Sequence, residues 1–168
     1  NTSMTGYQEI LTDPSYAGQI VVATYPLIGN YGISDASVES SRIQVAGYVV
    51  REHSANPSHF DSTSTVHDYL TAHGVPGIYG LDTRAVTRRI RNQGAMMGCL
   101  TSEMGPEDAI ERLKKVPRYV DLDHVASVTA RESYVWNGGR QTITPMSGSP
   151  HIVVTDCGLK YNILRKLR

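Results

Sequence analysis

Three groups of residues in this chain have types and spacings that could do chemistry or bind a ligand. The first surrounds Cys157, which lies between the β-branched run of residues 152 to 155 and Gly158. A cysteine between a strand and a helix resembles a nucleophile elbow, but that strained turn needs very small residues two positions before and after the nucleophile. Thr155 and Leu159 occupy those positions. The sequence therefore favours a structural thiol over a catalytic one at Cys157.

The second group is a basic stripe on the segment 82 to 94. Arg84, Arg88 and Arg91 recur at i, i+4 and i+7, so they lie on one flank of a helix. One interpretation is a solvated face that complements the carboxyl end of the helix dipole. The other is a surface that binds an acidic patch on a partner. We therefore treat the three arginines as candidate subunit-interface residues.

The third group is the turn Thr12, Asp13, Pro14 and Ser15. The proline pushes Asp13 out of the helical region, which places Ser15 at the exposed tip of the turn. Most such serines only complete the hydrogen bonds of the turn, so spacing alone favours a structural role for Ser15. A polar residue on a rigid turn can nevertheless reach a neighbouring site.

Composition excludes several classes of function. Sixteen Lys and Arg balance sixteen Asp and Glu, so no net field favours nucleic acid or an anionic membrane as a partner. The longest apolar runs are far too short to span a bilayer. Two cysteines without a disulfide framework are typical of a reducing cytoplasm, where we expect the protein to reside. The six histidines are scattered along the chain, so no metal site is expected.

Hydrophobic periodicity and capping residues predict alternating strands and helices. Strands are expected at residues 19–25, 43–50, 77–80, 95–100 and 152–155, with a hairpin at 133–144 and a turn-rich stretch before residue 19. Helices are expected at residues 66–73, 82–94, 106–115 and 159–167. Ala85, Val86 and Ile90 are expected to face inward from the second of these helices, and 77–80 is expected to be a buried strand.

These elements predict an α/β protein in two parts. Residues 1–146 form a mixed layer domain, and residues 147–168 form a linker and the truncated start of a parallel-sheet domain, with the boundary near Ser147. One parallel strand and one helix cannot bury the strand on both faces. The final unit must therefore either dock on what precedes it or belong to a longer protein. Because the chain starts at Asn1 without an initiator Met, we also expect residues upstream.

Four ordered blocks of the sequence carry a family resemblance. Residues 1–21, 25–32, 77–98 and 153–167 closely resemble the small subunit of glutamine-hydrolysing carbamoyl-phosphate synthetase. The resemblance covers essentially the whole chain and is weakest at residues 53–62 and 117–148. It implies an N-terminal domain of the swivelling β/β/α type, with its first strands missing. It also implies that residues 151–168 are the first strand and helix of a class I glutamine amidotransferase domain.

The resemblance also implies what this chain contributes to the chemistry. The family's nucleophilic Cys, in a Gly-x-Cys-x-Gly elbow, and its His and Glu have no counterpart here, so the fragment alone is expected to be inactive. The family's Thr-Asp-Pro-Ser-Tyr turn contacts bound glutamine through its serine, which is Ser15 in this sequence. ATP and magnesium would belong to the large synthetase subunit, and no cofactor is expected in this chain.

The function implied is a part of the small subunit that supports glutamine hydrolysis and ammonia delivery to the large subunit. The holoenzyme would make carbamoyl phosphate for pyrimidine and arginine biosynthesis. One alternative is a stand-alone binding or regulatory module that kept the fold without the catalytic domain. Another is a phosphohistidine carrier, which is disfavoured because no histidine lies on a Gly-rich loop.

Overall fold

The computed structural model describes residues 1–141 and 151–168. Within these residues, helices and short strands alternate along much of the chain. The helices are α1 (Tyr7–Thr12), α2 (Val66–Ala72), α3 (Thr83–Gln93), α4 (Pro106–Leu113), α5 (His124–Val128) and α6 (Tyr161–Leu167). The strands are β1 (Ile20–Val22), β2 (Leu27–Ile28), β3 (Gly47–Val49), β4 (Glu52–His53), β5 (Gly77–Ile78), β6 (Val135–Trp136) and β7 (Arg140–Gln141).

The largest sheet is parallel, with the strand order β1-β3-β5. Val21 lies opposite Tyr48 in the register of β1 and β3, and Val49 lies opposite Ile78 in that of β3 and β5. All three residues of the central strand β3 are buried, as expected for a parallel strand covered on both faces. Two further pairs complete the described strands: β2 and β4 are parallel, and β6 and β7 form an antiparallel hairpin.

The hydrophobic core lies between this sheet and helices α1 and α2. Leu11 from α1 and Leu70 from α2 are buried in the same cluster as Tyr48 of β3. Tyr7 is also buried there; it stacks on Tyr31 with 4.2 Å between ring centroids and donates a hydrogen bond to the carbonyl of Gly32 at 2.6 Å. The core therefore positions α1, and with it the turn that follows α1.

Most of the predicted elements are confirmed. Strands form within 19–25, 43–50 and 77–80, and helices form within 66–73, 82–94 and 106–115. The hairpin around Asn137 is confirmed by the pairing of Val135 with Gln141, although residues 142–144 lie outside the described residues. The linker at 144–150 and the boundary near Ser147 also lie outside them, so the division at residue 146 stays a prediction. Mixed α/β architecture with parallel sheets agrees with the predicted fold class.

Two predicted strands are wrong. Residues 95–100 and residues 152–155 contain no strand, and Val153 is 94% exposed. A parallel strand exists only through hydrogen bonds to a neighbouring strand, and no described strand pairs with either segment. Apolar composition alone was therefore insufficient to form these strands.

Burial was also predicted wrongly around α3. Ala85 and Val86 are exposed rather than inward-facing, and Ile90 is only half-buried. Ile78 of β5 is exposed as well, so the predicted burial of this strand is also wrong. Helices α1 and α5 lie in segments where no helix was predicted, because each is only one to two turns long and has little periodicity.

The final helix docks on the earlier part of the chain. Tyr161 and Leu164 of α6 are buried, and the ring of Tyr161 lies 4.7 Å from that of Trp136. Ile163 and Leu167 of the same helix remain exposed. None of the helices in residues 1–141 and 151–168 is long and apolar enough to cross a membrane.

Candidate functional site

Ser15 lies in a short 3₁₀ turn, Pro14–Tyr16, directly after α1. Asp13 precedes the turn with an extended backbone, φ −71° and ψ 120°, as its position before Pro14 predicts. Its side chain accepts a hydrogen bond from the amide of Ser15 at 2.8 Å. Pro14 is buried and Ser15 is exposed, so a rigid base presents the serine side chain to solvent. Its hydroxyl makes no hydrogen bond to any residue that the structure describes.

Buried hydrogen bonds attach the base of this turn to the core. The hydroxyl of Thr12 donates to the carbonyl of Gln8 at 2.9 Å and accepts from the amide of Glu39 at 2.9 Å. The hydroxyl of Ser40 donates to the carbonyl of Thr12 at 2.6 Å. Gln8, Thr12, Glu39 and Ser40 are all buried. Breaking any of these hydrogen bonds would therefore leave a polar atom without a partner, because water cannot reach it.

An ion pair joins the turn to the C-terminal segment. The amine of Lys160 lies 2.7 Å from the Asp13 carboxylate, whose side chain is 10% exposed. The hydrogen bond to Asp13 raises the pKa of Lys160, and the nearby charge of Glu39 adds to the shift. Because folding raises the pKa of Lys160, the ion pair contributes its full stabilisation of the folded protein at pH values below the ordinary pKa of lysine. It is lost only as the pH rises through the raised value, far above neutrality.

A second turn, at residues 156–158, packs against the first. Asp156 accepts hydrogen bonds from the amides of Gly158 at 3.0 Å and Leu159 at 2.7 Å, and the phenol of Tyr134 donates to its other oxygen at 2.6 Å. Gly158 has φ +102°, and a Cβ there would lie 2.7 Å from a methyl of Val128 and 3.2 Å from Pro14. Glycine is thus required both by the backbone and by the close approach of Val128, while Pro14 of the first turn adds a tight contact.

The two cysteines make no hydrogen bond to the Ser15 turn in the part of the chain that the structure describes. Cys99 and Cys157 are exposed free thiols, and no histidine in residues 1–141 or 151–168 forms a hydrogen bond with either of them. Nor do three His, Cys, Asp or Glu side chains of these residues lie close enough together to hold a metal ion.

The arginine stripe lies where the sequence predicts it. Asp82 begins α3 by accepting a hydrogen bond from the amide of Ala85 at 2.9 Å. Arg84, Arg88 and Arg91 are exposed along the helix. None of the three forms an ion pair with a described residue, so this flank of α3 presents unneutralised positive charge.

An open cleft of about 590 Å³ lies beside the Ser15 turn. Pro14, Arg42, Arg131 and Glu132 contribute to its walls, as does the turn at Asp156. Ser15 itself is not among the lining residues. The walls carry charges of both signs at exposed positions, so the cleft has no single electrostatic preference.

The sequence predicted Ser15 as a site residue but did not predict the residues that hold its turn. Lys160 and Glu39 are distant from the turn in sequence, and neither belongs to a motif that would indicate contact with it. The one usable signal was the Asp-Pro pair, which predicted the extended conformation of Asp13. The contacts between residues 12–16 and residues 156–165 needed the tertiary structure.

Together, the parallel sheet and the docked C-terminal helix define an α/β protein with a rigid, serine-bearing turn beside α6. A family model described as the carbamoyl-phosphate synthase small chain, CPSase domain, matches residues 1–100. The chain belongs to this family.

Curated relatives agree with this family across nearly the whole chain. The carbamoyl phosphate synthase small chain of Syntrophotalea carbinolica is 48% identical over 174 residues, covering 99% of this chain and 46% of the relative. That of Aquifex aeolicus is 44% identical, with 99% and 47% covered. That of Thermotoga maritima is 46% identical, with 100% and 41% covered. The chain thus spans slightly less than half the length of these relatives.

Proposed function

We propose that this chain is part of the small subunit of glutamine-dependent carbamoyl-phosphate synthetase. In that role it supports glutamine hydrolysis and the delivery of ammonia to the large subunit, for pyrimidine and arginine biosynthesis in the cytoplasm. The observation that carries the proposal is the small-chain family match over residues 1–100. The partners are the large synthetase subunit and L-glutamine, and ATP with magnesium acts on the large subunit.

Ser15 is the residue of this chain that we propose to contact glutamine. Its exposed position on a turn with a buried base supports this role, because a preorganised hydroxyl loses little entropy when it binds. The nucleophile and its base lie outside this chain in the proposal. Ser15 therefore acts on substrate binding and not on the chemical step.

The test is Ser15→Ala in the full-length small subunit assembled with its large subunit. A hydrogen bond to a charged substrate group contributes about 1.5–3 kcal/mol, so KM for glutamine should rise about tenfold or more. Carbamoyl phosphate synthesis from free ammonia should not change, because it bypasses glutamine. Ser102→Ala removes another exposed hydroxyl and is the matched control. Unchanged glutamine kinetics in Ser15→Ala would count against the contact.

We also propose that the arginine stripe on α3 binds an acidic patch on the large subunit. The double variant Arg84→Glu and Arg88→Glu should weaken subunit association about tenfold or more, because it reverses two charges that complement the acidic patch. The loss of affinity should be smaller at high salt, because ions screen the attraction between the two surfaces. Association can be measured by surface plasmon resonance. Arg112→Glu with Lys115→Glu reverses two exposed cations at the end of α4 and is the control. Equal affinity of both double variants and the parent would leave the stripe as a solvated face.

The alternative is a stand-alone binding or regulatory module that kept the fold without the catalytic domain. It predicts that the 168-residue chain, purified alone, hydrolyses no glutamine and remains a monomer with an ordered α6.

A further inference from the structure

The carbonyl of Ser15 is held by a residue that the proposed glutamine contact does not involve. The side-chain amide of Gln19 donates a hydrogen bond to this carbonyl at 3.0 Å. The same nitrogen donates to the phenol oxygen of Tyr119 at 3.0 Å, across 100 residues of sequence. An amide NH₂ has two donor hydrogens, so both hydrogens of Gln19 are used in this arrangement.

Tyr119 in turn is tied to the same loop. Its hydroxyl donates to the carbonyl of Ala17 at 3.1 Å, so the one phenol group accepts from Gln19 and donates to the backbone two residues after Ser15. The ring of Tyr119 stacks on that of His124, with centroids 4.1 Å apart and planes inclined by 20°. We call these two residues the aromatic clamp.

The aromatic clamp restricts the conformation of the Ser15 turn. Gly18 has φ +72° and lies so close to His124 that a Cβ would be 2.7 Å from the imidazole. The amide of Ser15 is held by Asp13 and its carbonyl by Gln19. Without Tyr119, the side chain of Gln19 would regain rotamer freedom and would hold the Ser15 carbonyl less firmly. The backbone hydrogen bonds from Tyr16 to Asp13 and from Ala17 to Pro14 would keep the turn itself in place.

We propose that Tyr119 is a positioning residue for Ser15, acting through Gln19 and the carbonyl of Ala17. The inference rests on the proposed function, since it gives Tyr119 a role in glutamine binding only if Ser15 contacts glutamine. It extends the binding machinery from the turn to a segment about 100 residues away. Tyr119 itself touches no substrate in this proposal.

The test is Tyr119→Phe in the full-length small subunit assembled with the large subunit. Phenylalanine keeps the ring stacked on His124 and removes both hydrogen bonds. KM for glutamine should rise about threefold to tenfold, the range expected for one or two neutral hydrogen bonds, with kcat unchanged. A purely structural loss would instead lower the active fraction, reducing kcat with KM unchanged. Tyr79→Phe removes an exposed phenol elsewhere and is the matched control.

A double variant separates this proposal from the proposed function. If Tyr119 acts through Ser15, Tyr119→Phe should add nothing to KM in a Ser15→Ala background. Gln19→Leu should reproduce the single-variant effect, and it serves as the test if Tyr119→Phe fails to fold.

Three results would overturn the positioning role. In the first, Ser15→Ala raises KM but Tyr119→Phe does not, and the glutamine contact of Ser15 survives. In the second, Tyr119→Phe raises KM equally in both backgrounds, which makes its action independent of Ser15. In the third, Ser15→Ala leaves KM unchanged, and the contact of Ser15 with glutamine fails as well.

Discussion

Gly18 follows the Ser15 turn and lies against His124 of the aromatic clamp. Its positive φ suits glycine, and the absence of a side chain leaves room for the imidazole of His124. Gly74 has a similar φ of +65° at the end of α2, but a Cβ added there would meet nothing within 4 Å. Both glycines therefore have a positive φ that disfavours other residues, but only at Gly18 would a side chain also clash with a neighbour.

This difference gives a prediction for a pair of matched variants. Gly18→Ala and Gly74→Ala both force a side chain into the left-handed region, but only the first also displaces the stacked imidazole. Gly18→Ala should therefore lower the free energy of unfolding by about 1–3 kcal/mol more than Gly74→Ala, measured by chemical denaturation. Equal losses would mean that His124 moves aside without cost.

At the scale of elements, α6 is attached to the body of the protein through Glu39. The helix has no side-chain cap of its own. The buried carboxylate of Glu39 accepts a hydrogen bond from the amide of Asn162 at 2.9 Å and lies 3.6 Å from the guanidinium of Arg165. A negative charge at the amino end of a helix also interacts favourably with the helix dipole. One side chain from another segment thus replaces the missing cap.

Removing that carboxylate should loosen α6 selectively. Glu39→Ala removes the acceptor of the Asn162 amide and the ion-pair partner of Arg165, a loss of about 1.5–3 kcal/mol. Arg165 keeps its hydrogen bond to the carbonyl of Val38. Amide hydrogen exchange in residues 161–167 should then accelerate about tenfold or more, while exchange in β3 stays slow. Glu39→Gln keeps an acceptor oxygen and should restore part of the protection, and Glu103→Ala, at an exposed position, is the control. Uniform acceleration throughout the chain would contradict a local role.

On the scale of the whole molecule, apolar side chains remain exposed over several segments. Phe60 is 95% exposed, Tyr79 72% and Ile152 64%. Val86 on α3 and Val153 are exposed as well. Single exposed apolar residues are common on protein surfaces, but Ile152, Val153 and Val154 are adjacent and all exposed. A contiguous apolar segment of this kind is typical of surfaces that bind other protein.

We therefore expect the 168-residue chain, produced alone, to associate with itself as its concentration rises. Ile152→Ser with Val153→Ser should reduce this association, because the two adjacent side chains lose their apolar surface. Sedimentation velocity over a range of concentrations measures the effect, with Thr2→Ser and Thr5→Ser as a control pair at exposed positions. A monomer at every concentration would contradict the expectation and would favour the stand-alone module.

The sequence predictions were correct where an element depends on interactions between neighbouring residues, and wrong where it depends on contacts between distant segments. Helix α3 was predicted with its Asp82 cap because capping and the 3.6-residue period act over neighbouring residues. The strand predicted at 152–155 failed because pairing depends on a neighbour that the local sequence does not specify. The prediction that one face of α3 is buried was wrong for the same reason. Ala85 and Val86 are exposed, because burial needs a partner surface that the local sequence does not specify.

By itself, the sequence determined the family, most of the helices, the α/β class and the position of Ser15 on a turn after Asp13 and Pro14. The tertiary structure alone decided that Lys160, Glu39 and Tyr119 converge on that turn and its surroundings. The physical reason is that turn chemistry and helix capping are short-range. An ion pair or hydrogen bond across about 100 residues exists only once packing has brought the segments together.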